Sequence, residues 1–77
     1  MEYSVNNKTV KLKQDQEYIK LQSLLQIADI ISNGGEAKFF LSENEVLVNG
    51  EPEERRGRKL YEGDIVTVLG TAIKVIK

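Results

Sequence analysis

A chain of 77 residues with 40 % hydrophobic and 30 % charged side chains is long enough for one small domain, in which only about 60 % of the unfolded surface can be buried. It has no cysteine and no histidine, so disulfides, thiolate metal sites, the commonest nucleophile and the commonest general base are excluded, which argues against catalysis and against zinc, iron or copper cofactors. A net charge of −1, taken as an average, argues against a nucleic-acid partner, because a basic surplus is the usual footprint of one.

The N-terminal Met1-Glu2-Tyr3-Ser4-Val5 has no basic stretch followed by an apolar run, and no apolar segment reaches the ~20 residues that span a bilayer. The expected location is therefore the cytoplasm. Residues 1–8 either add a strand around Asn6-Asn7 or fray. Val10 and Leu12 lie on one face of the segment Thr9 to Lys13, the period-2 pattern of a half-buried strand. Gln14-Asp15-Gln16 would then turn a hairpin, with Glu17 to Lys20, carrying Tyr18 and Ile19, as its return strand.

From Leu21 the period changes. Leu21, Leu24, Leu25 and Ala28 fall at i, i+3, i+4 and i+7, which predicts a short amphipathic helix. A second helix is expected from the segment Ser32-Asn33-Gly34-Gly35-Glu36, where Asn33 and Glu36 have capping-box spacing and Ser32 is the alternative cap. Its apolar face is Ala37, Phe40 and Leu41, and Asn44, a residue that tolerates left-handed backbone, should end it.

Val46-Leu47-Val48, then Asn49-Gly50, then Glu51-Pro52-Glu53 reads as a hairpin, because Asn-Gly supplies the positive φ angles of a type I′ turn. Pro52 cannot donate to a ladder, so the second arm should lie at an edge and release the chain into the loop Glu54 to Arg58. Beyond Lys59-Leu60-Tyr61, Gly63-Asp64 should turn the chain into a strand from Ile65 to Leu69, and Gly70-Thr71 into another from Ala72 to Ile76. The predicted class is α+β: two short helices packed on a small, mainly antiparallel β-sheet, as a single domain over 1–77.

Two segments carry candidate binding chemistry. Arg55, Arg56, Arg58 and Lys59 place four positive charges within five residues, which leaves seven basic against twelve acidic side chains in the rest of the chain. Arginine's planar fork matches phosphate oxygens two at a time, so this run could follow a sugar-phosphate backbone. The alternative is a solvated loop balanced by Glu53 and Glu54. In either reading a loop arginine such as Arg58 is expected to hold little of the core.

Gly34-Gly35 at a helix start offers exposed N–H groups to an anion, with Lys38 one turn on. Alternatively, the two glycines only ease an interhelical corner. Acids such as Glu51, Glu53 and Glu54 flank turns and read as solvated charges. The aromatics Tyr3, Tyr18, Phe39, Phe40 and Tyr61 are read as too scattered for a stacking platform.

The order of these features resembles the S4 RNA-binding domain. The residues that carry the resemblance are Leu21-x-x-Leu24-Leu25-x-x-Ala28, Ser32-x-Gly34-Gly35-x-Ala37-Lys38, Val46-Leu47-Val48-Asn49-Gly50-Glu51, Arg55-x-x-Arg58-Lys59-Leu60 and Gly63-Asp64-x-Val66-x-Val68. They fall within a core motif at residues 17–69. The sequence is most similar to the short standalone S4-like proteins of bacteria, a branch linked to ribosome function. The wider family opens its first helix with Arg-Leu-Asp, where this chain has Lys20-Leu21-Gln22, and often sets an Arg after the helix-two Ser, where this chain has Asn33.

The resemblance implies an S4-type (alpha-L) fold and a non-catalytic protein that grips structured RNA, ribosomal RNA or a ribosomal particle in assembly or function. It implies RNA contacts at Ser32, Asn33, Gly34, Gly35, Lys38, Arg55, Arg56, Arg58 and Lys59. No cofactor, membrane or small-molecule substrate is expected, and the protein is expected to act as a monomer. The competing expectation is a protein-interaction adaptor whose basic loop docks an acidic partner.

Overall fold

The computed structural model describes residues 6–77. In chain order the elements are β1 (Asn6–Lys11), β2 (Tyr18–Lys20), α1 (Leu21–Ile27), a 3₁₀ turn (Gly34–Glu36), α2 (Ala37–Glu43), β3 (Val46–Val48), β4 (Glu51–Pro52), β5 (Lys59–Tyr61), β6 (Ile65–Val68) and β7 (Thr71–Ile76). The fold is α+β, with two short helices and a mainly antiparallel set of strands. Five strands form one sheet in the order β1-β7-β6-β3-β4, and β2 and β5 form a separate antiparallel pair. Among the described residues only β1 and β7 run parallel.

Alternation and helical period converge on one core. Val46 and Val48 of β3, Val66 and Val68 of β6, and Ile73 and Val75 of β7 bury one face of the large sheet. Leu21, Leu24 and Leu25 of α1, with Ala37 and Leu41 of α2, complete the same cluster, and Phe40 packs partly buried against it. Each fully buried Val or Leu contributes about 1.5–3 kcal/mol relative to exposure, and with no disulfide this burial is what stabilises the chain.

The expected N-terminal hairpin does not form. The turn is present, with the Gln16 N–H donating to the Lys13 carbonyl at 3.0 Å, but its two arms pair elsewhere. β1 lies parallel to β7, with Val10 opposite Val75, and the Leu12 N–H extends the ladder to the Ile76 carbonyl. β2 pairs with β5, Ile19 opposite Leu60. The period-2 pattern specifies that Val10, Leu12 and Ile19 must be covered, and distant strands cover them better than they could cover one another. The possible strand around Asn6-Asn7 is the start of β1, and the part of that expectation at residues 1–5 lies outside the described residues.

α1 ends in a Schellman motif with Asp29 left-handed at φ 63°. The Ile30 N–H reaches the Leu25 carbonyl at 2.9 Å and the Asp29 N–H reaches Gln26 at 3.1 Å. Lys8 Nζ adds a bond to the Ala28 carbonyl at 2.8 Å, a cation where the helix dipole favours one. α2 ends differently from expectation. Asn44 is extended, at φ −132° and ψ 145°, and its Nδ2 donates to the Phe40 carbonyl at 3.1 Å. The Asn44 backbone N–H donates to the same carbonyl at 2.9 Å, so main chain and side chain together close the last turn and the chain leaves it in an extended conformation.

The Asn49-Gly50 turn has the expected geometry, φ 52° and 85°, and it joins β3 to a two-residue β4 at the sheet edge that ends at Pro52. The β6–β7 turn falls one residue earlier than expected, on Leu69 and Gly70, at φ 49° and 74°. A Cβ at Gly50 would meet nothing within 4 Å, so only backbone strain opposes a side chain there. Gly50→Val is therefore expected to destabilise the fold by about 1–2 kcal/mol, through a β-branched residue forced left-handed. Urea denaturation measures this; an unchanged midpoint would show that the turn tolerates a switch of type.

Candidate nucleic-acid interface

The basic loop is fixed first through its backbone. Lys20, the N-cap of α1, gives no side-chain cap, so the first helical N–H groups need other acceptors. The loop supplies them. The Leu21 N–H donates to the Arg58 carbonyl at 2.9 Å and the Gln22 N–H to the Arg56 carbonyl at 3.0 Å. The Arg58 N–H closes a turn on the Arg55 carbonyl at 3.2 Å. Two of the loop's carbonyls, those of Arg56 and Arg58, are thus spent on the helix start.

Glu53 fixes the loop a second time. Its N–H still bonds the Val46 carbonyl at 2.9 Å, which carries its side chain inward to 8 % exposure. The carboxylate accepts from the backbone N–H groups of Glu54 and Arg55 at 3.0 and 2.9 Å. It also accepts the Arg55 fork, Nε and Nη2 both at 3.0 Å, and Arg58 Nη1 at 2.7 Å. The Arg55 guanidinium holds the carboxyl down to about 2 from its usual 4.5, with the Arg55 N–H and Arg58 adding to the effect and burial opposing it. In return Glu53 pushes the Arg55 pKa up.

The reading of Glu53 as a solvated flanking charge is therefore corrected: it is the anchor of the loop. Nothing in the sequence separates it from Glu51 and Glu54. Its burial follows from the ladder bond to Val46, a tertiary fact. Arg58 changes role for the same reason, because it braces the loop as well as facing outward.

The basic run accordingly divides in two. Arg55 and Arg58 are paired to Glu53 while keeping 73 % and 34 % of their side chains exposed. Arg56 is exposed, with no ion pair among the described residues, and Lys59 lies with its Nζ 4.9 Å from the centre of the Tyr18 ring. Arg55, Gly57, Arg58 and Lys59 line one shallow hollow.

The other candidate segment is less open than its sequence suggested. Glu36 Oε1 accepts the Ser32 N–H at 2.7 Å and the Asn33 N–H at 3.3 Å, so these two donors are already engaged. Asn33 caps the 3₁₀ turn, which runs into a seven-residue α2. Neither Gly34 nor Gly35 is left-handed. A Cβ on Gly34 would sit 3.8 Å from Gln26 Oε1, and one on Gly35 would crowd Asn33 Oδ1 at 3.2 Å. Lys38 is exposed on the first turn of α2.

α1 links the two segments, because Gln22 touches the basic loop and Gln26, one turn later, faces Gly34. No hydrogen bond or ion pair among the described residues joins Lys38 to the loop. No helix of the described residues is long and apolar enough to cross a membrane.

The sequence matches the S4 domain family over residues 10–76, a span that includes both helices and the basic loop. It is also similar to a protein of Bacillus subtilis (strain 168) described as a probable ribosome maturation protein, RlbA. The two are 61 % identical over 56 residues, which is 73 % of this chain and 79 % of that protein. With the family matched across most of its length and a relative this similar, the chain belongs to the S4 domain family.

Proposed function

We propose that this protein is a non-catalytic, cytoplasmic RNA binder that grips structured RNA, ribosomal RNA in ribosome assembly or function, through the loop Arg55 to Lys59. The observation that carries this reading is the double fixation of the loop, by helix-capping carbonyls and by Glu53. Cations held in place before binding lose little conformational entropy on contact, so more of each phosphate interaction appears as affinity. The family match and the description of the Bacillus relative support the choice of RNA and of the ribosome. The excess of acid elsewhere in the chain would orient the basic end toward a polyanion.

A second contact is assigned to the start of the helical segment around α2. The N–H groups of Ser32 and Asn33 are taken by Glu36, so the contribution there comes from their side chains, from the Gly34 and Gly35 backbone, and from Lys38. Contacts of this kind position RNA without reading its sequence, which suits recognition of folded RNA by shape. The protein is expected to bind as a monomer and without a cofactor.

In-cell crosslinking followed by sequencing of the attached RNA tests the proposal. Enrichment of one ribosomal RNA region is the expected result. Recovery of nothing above background would instead favour an adaptor whose basic loop docks an acidic protein.

A further inference from the structure

The sequence places its aromatics far apart, but the β2–β5 register sets Tyr18 directly opposite Tyr61. The rings lie 6.0 Å apart, tilted by 50°. Because alternate residues of a strand share a face, Lys20 and Lys59, also opposite one another, stand on the same side of this pair as the two tyrosines. Ile19 and Leu60 take the other side and are buried, at 5 % and 0 % exposure. Those two residues do the packing, so the core does not require the tyrosine face, and Tyr61 remains 49 % exposed. The expectation of scattered aromatics is thus corrected for this pair, which cross-strand pairing assembles.

We infer that this face is a stacking site for one unpaired RNA base, with Tyr61 as the platform and Lys20 and Lys59 on the phosphates beside it; the inference rests on the RNA-binding reading above. Three observations select this occupant. Two lysines directly opposite one another on an antiparallel pair repel, a penalty that a phosphate between them would relieve. Among the described residues neither lysine is in an ion pair, the carboxylate partner of the basic loop, Glu53, going to Arg55 and Arg58 instead.

The face is also continuous with the basic loop. Lys59 belongs to both, and Tyr61 follows it on the same face at about 7 Å, two strand residues on. Finally, Lys59 Nζ sits over the Tyr18 ring, so Tyr18 positions the ammonium and leaves Tyr61 as the open aromatic surface. Beyond Tyr18 the surface continues into a hollow where Lys11, Lys13 and Lys20 outnumber Asp15 and Glu17.

The test compares a stem-loop RNA bearing a short single-stranded oligoadenosine tail with the same stem-loop cut blunt. Wild type should bind the tailed RNA about tenfold more tightly, the scale of one base on one aromatic side chain. Tyr61→Ala should lose that advantage and Tyr61→Phe should keep it, while all three proteins bind the blunt RNA alike. Should Tyr61→Ala fail to fold, Tyr61→Leu keeps bulk in the strand without an aromatic face and should show the same loss. The chain has no tryptophan, so tyrosine emission gives a second readout: in a Tyr3→Phe background the tailed RNA should quench it and the blunt RNA should not.

A tail that adds nothing to wild-type affinity, or an advantage that survives Tyr61→Ala, would overturn the stacking site and leave the loop grip standing. Failure of wild type to bind either RNA would overturn the RNA-binding reading itself, and this site with it.

Discussion

Glu53→Gln is expected to lower the unfolding free energy by about 2 kcal/mol at pH 7 and to remove much of the protein's sensitivity to acid. The carboxylate accepts two backbone N–H groups and bonds from two arginines while almost wholly buried. A glutamine keeps one acceptor oxygen and turns an NH₂ toward the guanidinium groups. In the folded protein Glu53 titrates at about 2, below its ordinary 4.5. Its stabilising contribution is therefore complete above about pH 5 and is lost as the pH falls through 4.5 toward 2.

At about 1.4 kcal/mol per pKa unit the full linkage would exceed 3 kcal/mol, and the solvent exposure of Arg55 reduces it to about 2. Denaturation by urea at pH 7 and at pH 3 gives the comparison. Wild type should lose more stability between the two than the variant does. Equal losses would show that Glu53 does not anchor the loop. Arg58→Ala should weaken the same brace and lower the melting temperature, which departs from the expectation that a loop arginine holds little of the core.

Arg56→Glu combined with Lys59→Glu is expected to weaken binding to a ribosomal RNA fragment roughly a hundredfold near 0.1 M salt, because each lost phosphate contact forfeits close to a decade through counterion release. For the wild type, three or four phosphate contacts predict a log–log salt slope of about −2 to −4, and the double variant should flatten it by nearly two. These positions are the ones to change because neither side chain touches Glu53, and Lys59→Glu faces Lys20 across the strand pair, so the fold should survive. Arg55 would be a poorer choice, since reversing its charge beside Glu53 would disturb the loop as well as the contact.

Titrations at several salt concentrations, with circular dichroism as the folding control, measure both quantities. A wild-type affinity indifferent to salt, or a folded double variant that binds as tightly as wild type, would remove the electrostatic mechanism.

Features whose cause is local are legible in the sequence. The 3.6-residue spacing of Leu21, Leu24, Leu25 and Ala28 specified α1 and its buried face. Asn49-Gly50 specified the turn after β3, because few residue pairs accept two positive φ angles. Pro52 specified the edge, because it cannot donate. The order of these features also carried the resemblance to the S4 family, which the family match bears out.

Tertiary structure alone decided the partners of the N-terminal strands β1 and β2. Val10 and Ile19 declare in sequence that they need burial, but every backbone donor and acceptor is chemically alike, so the partners β7 and β5 are selected only when the whole core closes. The same holds for the candidate site. Arg55 to Lys59 is legible as charge, whereas Glu53 becomes its anchor only through the ladder bond to Val46. Tyr18 and Tyr61 become neighbours only because β2 and β5 lie side by side. Local sequence encodes turn chemistry and the face a residue must present, while contacts between distant segments depend on the shape of the core those faces enclose.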